Sequence, residues 1–437
     1  MIGRVARIAI IAAFLLLLIP ALAVPAAAAD GNIDKADTAW VLVCTALVFI
    51  MTPAVALFYG GMLRKESVLS MLGQSIIVIG IVTVIWVVIG YSLAFGPDMN
   101  GVIGGPDFVM LRSVGLTPSP VYATSIPQLE FMMFQGVFAI VTVALILGAV
   151  AERMRSKALI VFIVIWSILI YNPIAHWVWG SGGWIGKLGA LDFAGGTVVH
   201  IASGVSALAA AMVLGKRFTA GDGNDVPHNI PLVILGGALL WVGWFGFNGG
   251  SALAANEVAV NAFVVTQIAA ATAAVTWGTI SWLHLGRPGV LGLITGGIAG
   301  LVAITPAAGY VDTTGAIIIG LGAGIFCYLG IIVRRRIRVD DALDVWGIHG
   351  VGGTWGAIAT GIFATTAVNS AGKNGLLFGG TDLIVSQLIA VAAVWAFAFG
   401  ATFVLLKAIG KFTELRLNKD EERIGADIIQ HGESAYS

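Results

Sequence analysis

The chain has 437 residues, 58% of them hydrophobic and 11% charged, and its 23 basic and 23 acidic side chains leave no net charge. A soluble domain is about one quarter charged, so this composition excludes a water-facing surface of ordinary size, and the balanced charge argues against nucleic acid as a partner. The apolar residues fall in blocks of about twenty, the length of helix that crosses a hydrocarbon core of about 30 Å. The 58 glycines are roughly twice the usual share of about 7%, as suits a bundle in which small residues let helix backbones approach. Cys44 and Cys327 lie inside apolar blocks and imply no disulfide framework.

In chain order, the first block stands apart. Arg4 and Arg7 precede an apolar run at 8–19, then come Pro20, Pro25 and alanines at 26–29. This pattern predicts a secretory signal peptide over 1–29, cleaved after Ala29, with an uncleaved extra helix as the alternative. Cleavage would leave Asp30 outside the cytoplasm. Membrane spans are then predicted at 38–63, 68–95, 127–151, 158–177, 192–214, 230–250, 257–283, 290–306, 312–333, 341–363 and 382–406. The expected architecture is an all-α integral membrane protein of eleven transmembrane helices. A single membrane domain covers 30–408, and a charged cytoplasmic tail covers 409–437.

Basic residues test this layout independently. The loops after spans one, three, five, seven and nine hold Arg64 and Lys65; Arg153, Arg155 and Lys157; Lys216 and Arg217; Arg287; and Arg334, Arg335, Arg336 and Arg338. The tail adds Lys407, Lys411, Arg416, Lys419 and Arg423, whereas the opposite side has Lys35, Arg112, Lys187 and Lys373. Positive charge gathers on the cytoplasmic side of membrane proteins, so the alternation predicts an N-terminus outside and a C-terminus in the cytoplasm, in a cytoplasmic (inner) membrane.

The chain also repeats itself. Span one ends in Phe58-Tyr59-Gly60-Gly61 and span six in Phe247-Asn248-Gly249-Gly250. Span five runs from Asp192 to His200 and Gly204, and span ten from Asp341 to His349 and Gly353, at equal intervals. Five spans separate the copies, an odd number, so they run in opposite directions. This predicts a 5+5 inverted repeat plus an extra C-terminal helix, with a conduction path at the repeat interface.

Ionisable residues are nearly absent from the spans, so His200 and His349 stand out. Each lies eight residues from its aspartate, about 12 Å along a helix, which places both near the bilayer midplane. A buried ionisable group is a functional hypothesis by default. Structural hydrogen bonding to a neighbouring helix is the alternative for either histidine alone. Two ligands are too few for a metal, and His176 is nearer the outer face. Trp177 reads as an interfacial anchor or as a face for a cation. Asp192, ahead of Phe-Ala-Gly-Gly, reads first as a cap for free backbone N–H groups.

These residues carry a resemblance. The run from Asp192 through Gly195-Gly196-Thr197-Val198-Val199-His200 to Ser203-Gly204, the segments Ala175-His176-Trp177-Val178-Trp179-Gly180, Trp244-Phe245-Gly246-Phe247-Asn248 and Asp344-Val345-Trp346-Gly347-Ile348-His349-Gly350, and the tail Gln430-His431-Gly432-Glu433-Ser434-Ala435-Tyr436 resemble the ammonium transporter (Amt/Rh) family, in its bacterial branch. The resemblance implies a homotrimer with one pore per subunit and no cofactor, and an activity that is transport rather than enzymatic. It implies an outer cation site of Phe138, Trp179 and Ser251, and a stacked gate of Phe138 and Phe247. Below the gate it implies paired pore histidines, His200 and His349, with Asp192 and Gln135 near the entrance. The stretch from Trp179 to Asp192 is one residue longer than in the family's best-known bacterial members, which touches the loop geometry and not the motif. The tail implies contact with a neighbouring subunit and a PII-type signalling protein; a solvated end is the plainer alternative.

The expected function is ammonium or ammonia transport. Ammonium matches potassium in size and charge but can leave a proton behind, so a dry apolar path admits ammonia and rejects dehydrated ions. The histidines are expected neutral, sharing a proton between facing nitrogens. A proton relay through them would make transport electrogenic, and the sequence leaves that choice open. An ammonium-binding sensor that scarcely conducts and a Rh-like gas channel are the alternatives. The short tail has no room for an appended signalling domain, and the tail and the Trp179 entrance favour the Amt branch.

Overall fold

The computed structural model describes residues 33–218, 220 and 226–436, so the predicted signal peptide lies outside the described residues. Among the described residues the regular structure is helical apart from two small antiparallel hairpins, Asp98–Met99 with Ile103–Gly104 and Pro118–Ser119 with Ala123–Pro127, and an isolated bridge between Met154 and Arg416. The helices are α1 (Lys35–Met62), α2 (Val68–Ile85, carried on by Trp86–Gly90 and Tyr91–Phe95), α3 (Gln128–Val150) and α4 (Ser156–Trp166, Ser167–Tyr171 and Asn172–Trp179). Then follow α5 (Gly196–Ile201 and Ala202–Leu214), α6 (Ile230–Gly250), α7 (Glu257–Leu285), α8 (Val290–Ile304), α9 (Thr313–Arg336), α10 (Trp346–Gly350 and Val351–Phe363) and α11 (Asp382–Ile409). Among the described residues, nine of these are long and apolar enough to cross a membrane; α8 is a shorter apolar helix of 15 residues.

Side-chain caps set several helix starts. Asp34, Asn229, Asn256 and Asp312 each accept backbone N–H groups of the first turn, satisfying donors a helix cannot pair internally. The bundle's perimeter is apolar: Leu42, Ile76, Leu235, Leu283 and Val404 all stand exposed. In water such a surface would aggregate, and in a bilayer it is the solvated face.

Charged side chains gather at the two ends, and between the helices uncharged polar groups pair with one another, as Trp166 does with Ser206 and Thr402. At the end that carries the tail, Arg153 is fully buried and donates to the Ala149 and Asp340 carbonyls at 2.7 and 2.5 Å. Arg217 binds the Asp340 carboxylate at 2.9 and 3.0 Å and Glu152 at 2.7 Å. Burial raises the Asp340 carboxyl, but the hydrogen bonds and charge of Arg217, with Arg153, overcome it and hold the group down at about 2. Burial pulls the Arg153 guanidinium down to about 10 against the pull of Asp340.

The tail folds back over this end of its own subunit. Two short helices, Lys419–Ile424 and Ala426–His431, follow an Asn418–Glu421 capping box. Asp427 accepts the Leu69 and Ser70 N–H groups at 3.1 and 2.7 Å and so caps α2. Gln430 accepts from the Ser156 N–H and hydroxyl at 2.6 and 2.7 Å at the start of α4.

The close approach that defines the centre is between α5 and α10. A Cβ on Gly204 would collide with the Gly350 nitrogen, and one on Gly353 would lie 2.8 Å from the Gly196 carbonyl oxygen. Gly204→Val is therefore expected to push the two helices apart at a cost of about 1–3 kcal/mol or more. The measurement is the thermal midpoint of the purified protein, which should fall; an unchanged midpoint would contradict this crossing.

Candidate functional site

His200 and His349 arrive at the centre from opposite directions. Each sits on a π-helical turn, Gly196–Ile201 in α5 and Trp346–Gly350 in α10. In the first, the His200 N–H reaches back five residues to the Gly195 carbonyl at 3.0 Å. An aspartate precedes each turn. Asp192 Oδ1 accepts the N–H groups of Gly195 and Gly196 at 2.9 and 2.6 Å, and Oδ2 accepts those of Thr197 and Val198 at 2.8 and 3.3 Å. The Thr197 hydroxyl also donates to Oδ2. Asp341 Oδ2 accepts the Trp346 N–H at 2.7 Å. Both carboxylates thus lie just ahead of their helices, where the predicted spans had included them, and both act on backbone.

The two imidazoles meet. His349 Nδ1 is 3.3 Å from His200 Nδ1, and the rings lie 5.3 Å apart at 28°. Two neutral imidazoles fit this contact when one Nδ1 carries a hydrogen and the other accepts it. Their Nε2 atoms are then unlike: one is a bare acceptor and the other an N–H donor. His200 Nε2 is buried with no hydrogen-bond partner. That atom is available to a small polar guest.

Aromatic rings wall the pair on one side. Trp244 stacks on His200 at 5.3 Å and 25°, and Phe247 at 5.8 Å and 22°. Trp244 opens the Trp244–Asn248 motif, but its packing against His200 is a tertiary fact with no local signal. Above Phe247 lies Phe138, with centroids 4.3 Å apart, and both rings are fully buried. Trp179 then meets Phe138 edge-on at 6.1 Å and 85°, and its indole N–H is held by the Asp192 carbonyl at 2.8 Å. The sequence Trp179, Phe138, Phe247, His200, His349 is therefore a continuous series of ring contacts.

The remaining predicted residues take lesser places. The Ser251 hydroxyl donates to the Phe247 carbonyl at 2.8 Å, which leaves its oxygen as an acceptor at the end of α6. Gln135, one turn from Phe138, has a buried Oε1 with no hydrogen-bond partner.

Two cavities flank the histidines. A small one of about 20 Å³ is lined by His200, His349, Val141, Leu145, Trp244 and Phe247 among others. It is the size of about one water probe and almost wholly apolar. A larger one of about 930 Å³ opens at the tail end, with His349 at its head and Arg334, Arg335 and Arg338 along it. His349, Tyr59, Phe58 and Ile298 line both. Phe58 and Tyr59, one half of the sequence repeat, thus also line the path beside His349. Among the described residues no group of three or more histidine, cysteine or acidic side chains is placed to hold a metal.

The chain matches the model of the Ammonium Transporter Family over residues 39–436. It is 52% identical over 402 residues to the ammonium transporter of Bacillus subtilis (strain 168), covering 92% of this chain and 98% of that protein. It is 50% identical over 408 residues to ammonium transporter Amt1 of Archaeoglobus fulgidus, covering 93% and 100%. Among solved structures it is similar to Saccharomyces cerevisiae Mep2, with a TM-score of 0.84, 39% identity, and 89% and 92% of the two chains covered. A sensor Amt protein matches with the same TM-score at 29% identity, covering 91% and 98%. The chain belongs to the ammonium transporter family, as a multi-pass helical membrane protein and a transport protein rather than an enzyme.

Proposed function

We propose that the protein moves ammonium by admitting it at the Trp179 end, where it leaves its proton to the water outside the gate, and passing ammonia along the two histidines. The observation that carries this reading is the 3.3 Å contact between His200 and His349 beside an apolar cavity of about 20 Å³. A cation gains by lying on the indole and phenyl faces of Trp179 and Phe138, by roughly 0.5–2 kcal/mol, and Ser251 offers an acceptor. Phe138 over Phe247 closes the path to anything hydrated. Isolated charge cannot enter an apolar cavity of that size without a prohibitive cost. Ammonia enters neutral and exchanges hydrogen bonds with the unlike Nε2 atoms. Potassium has no proton to leave and stops at the gate.

The wider assignment follows the same reading. Helices α1–α5 and α6–α10 are inverted copies, α11 is the added helix, and all eleven cross the membrane. The chain works as a homotrimer with one pore per subunit in the cytoplasmic membrane, its mature N-terminus at Asp30 outside and its tail inside. The tail at 409–437 is regulatory and receives a PII-type protein. Its seating on α2 and α4 through Asp427 and Gln430 is the contact that such a partner would read. A sensor reading is supported by likeness to a sensor Amt protein, but the continuous ring series and the inner cavity suit passage better than capture.

Purified protein in liposomes, driven by ammonium or by potassium gradients, tests the proposal. Ammonium is expected to give saturable uptake and potassium none. Trp179→Leu should raise the half-saturating concentration about three- to thirtyfold, the equivalent of about 0.7–2 kcal/mol of lost cation contact. Equal flux of both ions would end it.

A further inference from the structure

His176 is the third histidine of the helical core, and nothing above uses it. It lies one turn before Trp179 near the end of α4, with a ring that is completely buried. Both nitrogens are engaged. Nδ1 is 2.9 Å from the Ala94 carbonyl oxygen at the end of α2, and Nε2 is 2.9 Å from Asp98 Oδ1 on the first hairpin. A backbone carbonyl and a carboxylate only accept hydrogen bonds, so this geometry calls for an N–H on each ring nitrogen. Histidine meets that demand as an imidazolium, whose charge the carboxylate balances. Asp98 also accepts the Gly101 N–H at 2.7 Å and Lys187 at 3.4 Å, which anchors it on its own side. The Tyr122 hydroxyl accepts the Ser181 N–H beside them.

The ring therefore joins two stretches that are far apart in sequence, the end of α4 and the run from Ala94 to Asp98 in which α2 passes into the first hairpin. Two further bonds run the same way: Trp177 Nε1 donates to the Val102 carbonyl at 2.8 Å, and the Trp184 N–H to the Gly101 carbonyl at 3.1 Å. The turn after α4 is built around the histidine. A Cβ on Gly180 would collide with His176 Nδ1, so the next residue after Trp179 has to be glycine. Trp179 is fixed between this turn and the Asp192 carbonyl.

We infer that His176 is a positioning residue for the entrance: donating from both ring nitrogens, it clamps the end of α4 to α2 and to the Asp98 hairpin and so holds the Trp179 indole against Phe138. The inference rests on the reading that Trp179 receives ammonium. A histidine serving only as packing would lower folded yield or maximal rate when replaced; a positioning residue shifts the half-saturating concentration.

The test uses full-length protein in liposomes, with methylammonium as the probe, and nitrogen-15 spectra of the histidine rings. His176→Gln and Asp98→Asn should each raise the half-saturating concentration about tenfold with maximal rate held within about twofold, a loss of the order of one charge-assisted hydrogen bond. The double variant should be no worse than the more affected single one, because both break the same clamp. Wild-type His176 should show two protonated ring nitrogens, and Asp98→Asn should remove that signature. Asp98 is partly exposed and its variant keeps the fold accessible should His176→Gln express poorly. A bare ring nitrogen in the wild-type spectrum, additive effects in the double variant, or unchanged half-saturation would each overturn the inference. Loss of effect at Trp179→Leu strikes the recruitment reading instead, so the two failures are read from different measurements.

Discussion

His200→Ala and His349→Ala are each expected to cut saturable uptake by about ten- to a hundredfold while the protein remains folded. The rings meet at Nδ1, and the His200 ring is packed against Trp244 and Phe247. Removing one leaves ammonia in an apolar cavity with a hydrogen bond unmade, worth about 1–3 kcal/mol, and each 1.36 kcal/mol is a decade in rate. The surviving histidine also loses its Nδ1 partner and with it the fixed choice of tautomer. Initial rates of methylammonium uptake, with size-exclusion elution as the check on folding, decide the matter. Uptake at the wild-type rate in either variant would remove the histidines from the mechanism.

Asp192→Ala is expected to be the most damaging single change outside the pore. It strips four backbone N–H groups and the Thr197 hydroxyl of their acceptor at a buried site. Ordinary cap deletions cost about 0.5–2 kcal/mol, and a buried unsatisfied donor costs about 1–3 kcal/mol. A combined loss of roughly 3 kcal/mol or more should appear as a large fall in thermal midpoint together with lost uptake. Asp192→Asn separates two roles. An amide keeps one acceptor oxygen but turns N–H groups toward Thr197 and Val198, so stability should fall to an intermediate value. If the carboxylate instead acted by touching the substrate, Asn would lose uptake at full stability, and that result would displace the capping role.

Much of this arrangement is legible before any coordinates, because a bilayer imposes a coarse rule. Spans long enough to cross it are long apolar runs, and cations mark one side. The predicted 230–250 span coincides with α6, because Asn229 and the closing glycines punctuate the sequence. At α5 and α10 the predicted starts run four and five residues early. Asp192 and Asp341 belong to caps, and hydropathy cannot tell a capping carboxylate from the first residue of a helix. The π-turns carrying His200 and His349 left no trace, since one surplus residue among Gly, Thr and Val does not alter composition. The partnership of His176 with Asp98, 78 residues away, is likewise a product of packing alone. The charge of the tail points to a solvated end, and only the resemblance of 430–436 to the family's tail points to docking. Its seat on the subunit is made of carboxylate and amide contacts to backbone, to which hydropathy is blind. Asn418 followed by Glu421 was the available signal, a capping box that announces a folded turn.

A π-turn is an α-helix with one residue too many, and here that surplus works as a phase adjuster. Excising Val198 would let the stretch between the cap and the imidazole rewind to ordinary pitch. Everything ahead of it would then rotate by about 100° and shorten by about 1.5 Å. The Asp192 carboxylate would swing off its N–H groups and carry the carbonyl that holds Trp179 away with it. Lineages that lose or gain a single codon in this stretch must therefore compensate on both sides of it at once, which makes its length harder to change than its letters.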